Sequence, residues 1–326
     1  MKSMSTRIVI AAAAFLGIAL AEPKSARGDA PQDPDRAPGF HRLKVGDVEV
    51  TTLYDGTGQF ELQWLRGKES LMTAISSKAQ KEPQFLAGFE SAFLVNTGKQ
   101  LILVDAGSGE WFGGGAFGRM EKSLRSAGYT PERVDLALIT HLHSDHIGGL
   151  TTRDGKPVFP NVEVYVAKAE SDFWLSPETA AKAPKEAQEF FQAAQAISEP
   201  YIKAGKWHTF GNSDQIAEGI KIVPLPGHTP GHTGYEFSSK GQKILFWGDI
   251  MHAQNVQLKH PEVSVVFDID PAAAVAVRTK LLPTLVGGNV LIGGPHMPFP
   301  AIGRLQKEGN AYGWAPVVLT ERRTSR

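Results

Sequence analysis

Between residues 140 and 146 the chain reads Thr-His-Leu-His-Ser-Asp-His, placing four potential metal ligands directly after the apolar run Val134 to Thr140 (VDLALIT). In extended backbone, residues two apart point to the same side, so His141 and His143 can grip one ion together. Asp145 and His146 lie past the turn, where a helix is expected to begin, and can reach a second ion beside the first. Each residue alone has an ordinary reading, a solvated histidine or, for Asp145, a helix N-cap. As a cluster they do not, because like imidazoles are rarely packed together without a shared partner.

An ion held by two histidines needs more ligands, and later stretches supply candidates. In PLPGHTPGHTGY, residues 224 to 235, His228 and His232 stand four apart. Pro230 and Gly231 between them argue against a helix, so the two rings point differently, one binding and the other supporting. Asp249 in LFWGDI and His296 in IGGPHMPFP each follow an apolar run, which places them at sheet edges. Loops anchored on a rigid sheet are the usual home of such chemistry. His41, His208 and His260 have no motif around them, whereas His252, three residues after Asp249, is placed to face a site built there. The chain has no cysteine, which excludes disulfides, thiolate nucleophiles and thiolate-ligated metals together. Imidazole and carboxylate ligands suit Zn²⁺, with Mn²⁺, Co²⁺ or iron as alternatives in an oxygen-rich position.

The elements that must position these groups are short apolar runs between turn residues. FHRLKVGDVEVTTLYDG, SAFLVNTG and KQLILVDAG read as consecutive antiparallel strands. A helix is expected over Arg119 to Ala127, a buried strand over Val134 to Thr140 and another strand at VEVYVA. Ser176 to Ser198 reads as one long or two shorter helices. A second strand group follows (IKIVPL, TGYEFSS, QKILFWGD), then a helix from Pro271 to about Val286 and a strand at NVLIGG. Strands in two clusters, with helices between and after them, predict a layered α/β sandwich in one domain.

Charge and composition narrow the function classes. Lys+Arg and Asp+Glu both number 34, so there is no broad basic field for nucleic acid. The first 21 residues read as a secretory signal: Lys2 and Arg7, an apolar run from Ile8, then Ala19 and Ala21 before the cut. That run falls short of the roughly 20 residues a spanning helix needs. Its removal leaves 32 basic against 34 acidic residues. Residues 22–39, rich in Pro, Ala and charge, read as a flexible leader, residues 40–318 as the domain and 319–326 as a tail. The expected product is exported, periplasmic or secreted, with no membrane attachment after cleavage.

HLHSDH, GHTPGH, GD and a late GGPH, in that order, resemble the ligand set of the metallo-β-lactamase superfamily, whose fold is a four-layer αββα sandwich. The likeness spans about residues 40 to 318. It implies that one metal takes His141, His143 and His228, the other takes Asp145, His146 and His296, and Asp249 bridges both. By the same likeness His228 is a ligand, His232 supports from behind or packs inside, and Asp105 in LILVDAG orients a ligand histidine. Two ions about 3.5–4 Å apart hold a hydroxide that attacks a carbonyl carbon or a phosphorus, with Asp145 and Asp249 handling the proton. The bridging Asp249 and the lack of cysteine speak against a β-lactamase.

Within the superfamily, the signal peptide, LVNTGKQLILVDAG, SAGYTPERVDLALITHLHSDHIGGL, KAESDFWLS, YIKAGK, PGHTPGHTGY, HMPFPAIG and AYGW are similar to the methyl parathion hydrolase branch. That implies a dinuclear hydrolase of esters or phosphotriesters acting on a small, neutral, apolar substrate, with a homodimer as a common form. Trp111, Phe112, Trp174 and one of Phe190 and Phe191 are the expected aromatic pocket. WFGGGAFG departs from the branch, which has a proline-containing loop there. The alternatives are an acyl-homoserine-lactone lactonase and a glyoxalase II-like thioesterase. A nuclease of the same fold would want a basic track that this chain lacks.

Overall fold

The computed structural model describes residues 39–317, so the expected signal, leader and tail lie outside the described residues, apart from Gly39. Two sheets face each other. The first has seven strands in the order β1 (Phe40–Val45), β2 (Val48–Gln59), β4 (Ala87–Asn96), β5 (Leu101–Val104), β6 (Leu136–Leu138), β7 (Glu163–Ala167) and β8 (Trp207–Phe210). The second has six, β15 (Ala311–Pro316), β14 (Ile302–Glu308), β13 (Val290–Gly293), β11 (Gln242–Phe246), β10 (Thr233–Ser239) and β9 (Ile220–Pro224). A two-stranded ribbon pairs β3 (Leu65–Arg66) with β12 (Ser264–Val265). In the first sheet β1, β2, β4 and β5 form the expected antiparallel run, while β5 through β8 are parallel.

Alternation along β4 shows how the layers stack. Phe93 and Val95 point into the core shared with the second sheet, where Phe93 meets Phe246 at 4.8 Å between ring centres. Ala92 and Leu94 point the other way, into a core shared with helices α2 (Met120–Ser126), α3 (Ser144–Ile147), α4 (Lys168–Trp174) and α6 (Gln188–Lys203). In β11 the consecutive Ile244, Leu245 and Phe246 are all buried, as a strand covered on both faces requires. Helix α8 (Pro271–Leu285) adds Leu282 and Leu285 to that core. The result is the four-layer αββα sandwich.

The short helices α5 (Pro177–Lys182) and α7 (Gln254–Gln257) complete the set with α1 (Glu69–Lys81). Helix α1 was not foreseen, although Leu71, Met72, Ile75 and Ala79 form a short apolar stripe along it that packs on a small separate core. The region from Ser176 to Ser198 is two helices, α5 and α6, with α6 carried on through Pro200 to Lys203. Strand β8 and the hairpin β14–β15 also escaped the sequence reading. Both lie at sheet edges, where alternation is weak. Among the described residues, no helix is long and apolar enough to cross a membrane.

Candidate metal centre

Strand β6 ends at Leu138, and the chain bends at Thr140 and runs on to His143, which is extended (φ −71°, ψ 149°) and precedes α3. His141 and His143 therefore come off the loop between strand and helix, and Asp145 and His146 off the helix. His228 arrives from the loop between β9 and β10, Asp249 from the end of β11, and His296 from the end of β13. The fold brings all seven together. His143 Nδ1 lies 3.1 Å from His141 Nε2 and 3.1 Å from His228 Nε2, and Asp249 Oδ2 lies 3.5 and 3.2 Å from those Nε2 atoms. On the other side, His146 Nε2 lies 3.2 Å from Asp249 Oδ1 and 3.7 Å from Asp145 Oδ2. His296 Nε2 completes that group, 3.2 Å from Asp249 Oδ2 and 3.8 Å from Asp145 Oδ2. Asp249 belongs to both groups.

Hydrogen bonds on the far sides of the rings show what faces inward. His141 Nδ1 donates to Thr140 Oγ1 (3.0 Å), whose own proton goes to Asp105 Oδ2 (2.8 Å). His146 Nδ1 donates to Asp105 Oδ2 (3.0 Å), His228 Nδ1 to Asp268 Oδ1 (2.8 Å) and His296 Nδ1 to the Phe89 carbonyl (2.8 Å). Each of these four rings thus keeps its Nε2 lone pair for the shared space. Inside that space His146 Nε2 and Asp249 Oδ1 are buried without a hydrogen-bond partner. Lone pairs and carboxylate oxygens so arranged repel one another unless a cation lies among them. Four ligands about 2.1 Å from a tetrahedral zinc sit about 3.4 Å apart, close to the spacing of the first group. The residues fit a pair of divalent cations.

Proton affinities carry the same message. Burial holds His141 and His143 well below the usual histidine range, helped by the neighbouring imidazoles, which favours their neutral form. Burial would also lower His146, His228 and His296, yet facing carboxylates outweigh it. His228, against Asp249 and Asp268, is pushed up to about 9. His146 and His296 are carried well above the usual range, Asp249 being the main counterweight for both. The cluster calls for positive charge.

A family model for the metallo-beta-lactamase superfamily matches residues 86–286. The chain belongs to the metallo-beta-lactamase superfamily. Among solved members of the superfamily, hydrolase AbOPH is 37% identical, with 88% of this chain and 100% of that one covered and a TM-score of 0.81. AidC, a dizinc quorum-quenching lactonase solved with N-hexanoyl-L-homoserine, is 27% identical over 86% of this chain and 98% of that one, with a TM-score of 0.77. A probable metallo-hydrolase of Mycobacterium tuberculosis is 28% identical over 49% of this chain, a match spanning only 56% of that relative.

Within this superfamily scaffold the two histidines of GHTPGH part company. His228 joins the first group. His232 donates from Nδ1 to the Leu225 carbonyl (2.9 Å) and accepts the Asp249 N–H at Nε2 (2.9 Å), so it fixes the backbone that presents Asp249. Burial holds it neutral, near 3. The intervening Gly231 lies against the backbone of Glu170, where a Cβ would come within 2.3 Å of the Glu170 nitrogen, and its N–H donates to Glu170 Oε2 (2.8 Å). Asp105 sits at φ +55°, with Oδ1 taking the Thr140 N–H (2.8 Å).

The aromatic candidates divide. Trp111, Phe112 and Phe190 line a cavity of about 550 Å³ beside Ser144, with Ala193 and Ala196 and with the exposed Arg153 and Glu189 at its rim. Phe190 packs on His143, 5.4 Å between ring centres, so one wall of the cavity backs onto the first group, while Phe191 is buried in the core. Trp174 departs from the expectation. It is 1% exposed, its indole N–H donates to Glu170 Oε1 (2.7 Å), and it stands behind His143 instead of lining the cavity.

Sequence reasoning missed several residues of the centre. Asp268 in VFDID holds His228. Glu170 collects the N–H groups of Leu142, Gly231 and Trp174. Asp55 ties down the loop after β5 through the amides of Ser108, Gly118 and Met120. Glu90 lies 3.0 Å from His296 Nδ1 and is pushed up to about 8 by burial. All four side chains are buried in the fold, and no motif around them in the sequence marked them out. His252 does face the centre, with Nε2 2.9 Å from Asp249 Oδ2.

Proposed function

We propose that this protein is a dinuclear-metal-dependent hydrolase of ester or phosphotriester bonds in small, neutral, apolar substrates, similar to methyl parathion hydrolase. The observation that carries the reading is Asp249, one carboxylate shared by two groups of inward-facing lone pairs. His141, His143 and His228 would hold one cation, Asp145, His146 and His296 the other, and Asp249 both. Zn²⁺ is the first choice of metal for such a donor set, and AidC is a dizinc relative. Bound there, two divalent cations supply Lewis acidity toward a carbonyl or phosphoryl oxygen and lower the pKa of water toward neutrality.

The chain's own groups then have distinct work. Asp249, 2% exposed at the side chain and pinned by His232, keeps the two positions in register. Asp145, 20% exposed, is reached by solvent and is placed to accept a proton and return it to the leaving group. Trp111, Phe112 and Phe190 give the cavity an apolar wall for the aryl or acyl part of the substrate. Its volume of about 550 Å³ suits a small molecule.

A second reading, lactone opening, is favoured by the likeness to AidC over nearly that whole chain. The same centre would open a lactone by the same chemistry. We further propose export, on the strength of MKSMSTRIVIAAAAFLGIALA alone. Hydrolysis by purified protein of an aryl phosphotriester, an aryl ester, short and long lactones and a thioester, with and without chelator, tests the activity. Preference for the aryl esters supports the first reading, and preference for long-chain lactones installs the second. Activity that survives both full chelation and His143→Ala rules out the metal-centred reading altogether.

A further inference from the structure

We propose that Glu90 is a ligand of the second cation position, a third carboxylate beside Asp145 and Asp249. The inference rests on the two-cation reading above. Along β4 the residues Leu94 and Ala92 share one face, and the alternation brings Glu90 onto that face at the end of the row. Its partner across the strands is Gly56, which offers no side chain, and Asp55, the extra residue of a bulge, turns to the amides of the loop after β5. Glu90 is 1% exposed, and neither carboxylate oxygen has a hydrogen-bond partner. The nearby His296 Nδ1–H is already given to the Phe89 carbonyl.

A carboxylate buried without a donor or a cation is costly to keep. Glu90, Asp145, His146 and His296 each place a ligand atom within 4.8 Å of the others, and His146 Nε2 there is unpartnered as well. An orphan oxygen beside an orphan lone pair is satisfied by a shared cation. The second position then offers oxygen from Glu90, Asp145 and Asp249 with nitrogen from His146 and His296. The first offers three nitrogens and one shared oxygen. Harder, oxygen-seeking ions such as Mn²⁺ therefore favour the second position over the first.

The test is metal binding by the full chain, stripped with chelator and dialysed against graded free Zn²⁺ and, separately, Mn²⁺, with bound metal counted by atomic emission. Wild type is expected to bind two ions. Glu90→Gln should keep the first ion at wild-type affinity and bind the second more than ~100-fold more weakly, beyond the ~10–100-fold typical of losing an outer partner. Glu90 Oε2 lies 3.0 Å from His296 Nδ1, so a loss within that smaller range makes Glu90 a residue that only positions the ring and overturns the proposal. Unchanged affinity overturns it too, leaving the two-cation reading intact, whereas a wild type that saturates at one ion sinks both. If circular dichroism shows that Glu90→Gln does not fold, Glu90→Asp decides. Selective weakening of the second ion supports the proposal, and unchanged affinity refutes it.

Discussion

Asp105→Asn probes the centre most sharply, because Asp105 serves both cation positions. Its Oδ2 takes the His146 Nδ1–H at 3.0 Å and the Thr140 hydroxyl at 2.8 Å, and that hydroxyl takes the His141 Nδ1–H. Its Oδ1 takes the Thr140 N–H at 2.8 Å. Asparagine tolerates the positive φ of +55° nearly as well as aspartate, so the backbone stays put where alanine would add strain. With its oxygen on the Thr140 N–H, the amide NH₂ meets the His146 Nδ1–H donor to donor. Leaving that buried donor unsatisfied costs roughly 1–3 kcal/mol, and losing a charge-assisted bond brings the total to about 2–4 kcal/mol. Ring tilt of His146 and His141 should lower affinity at both positions by ~10–100-fold. Chemical denaturation of the metal-free chain and a chelator competition read the two numbers separately. An Asp105→Asn protein with wild-type stability and two ions at wild-type affinity would refute the orienting role.

Other expectations follow from the same geometry. Asp268→Ala frees the His228 Nδ1–H and should weaken the first ion ~10–100-fold, measured by the same competition. Phe190→Ala, which opens the wall beside His143, should raise KM for aryl esters several-fold and leave metal content unchanged in steady-state and emission assays. Glu170→Ala strips acceptors from the Leu142, Gly231 and Trp174 N–H groups and should destabilise the fold by about 3–5 kcal/mol in a denaturant titration. Chelation should abolish hydrolysis and added Zn²⁺ restore it, and a chelated protein of full activity would contradict the proposed chemistry.

Local rules made the ligand candidates and the layered strand groups readable. His141 and His143 two apart in extended chain, Asp145 and His146 one turn on, and acids or histidines at the ends of apolar runs depend only on backbone period and on turns. Those rules hold within a dozen residues, so they also delimited α2 and α8 closely. They could not say which wall a side chain faces once separate segments meet. Phe190 and Phe191 are adjacent and chemically identical, yet one lines the cavity and the other fills the core, because the helix presents them on different faces. Trp174 reads like a pocket aromatic until Glu170 takes its indole and His143 covers it. Glu90, Asp268 and Asp105 gain their meaning from rings 206, 40 and 41 residues away in sequence. Pattern within the chain declares which groups can do chemistry, and only packing between distant strands assigns each its partner, since a hydrogen bond depends on separation in space and not along the backbone.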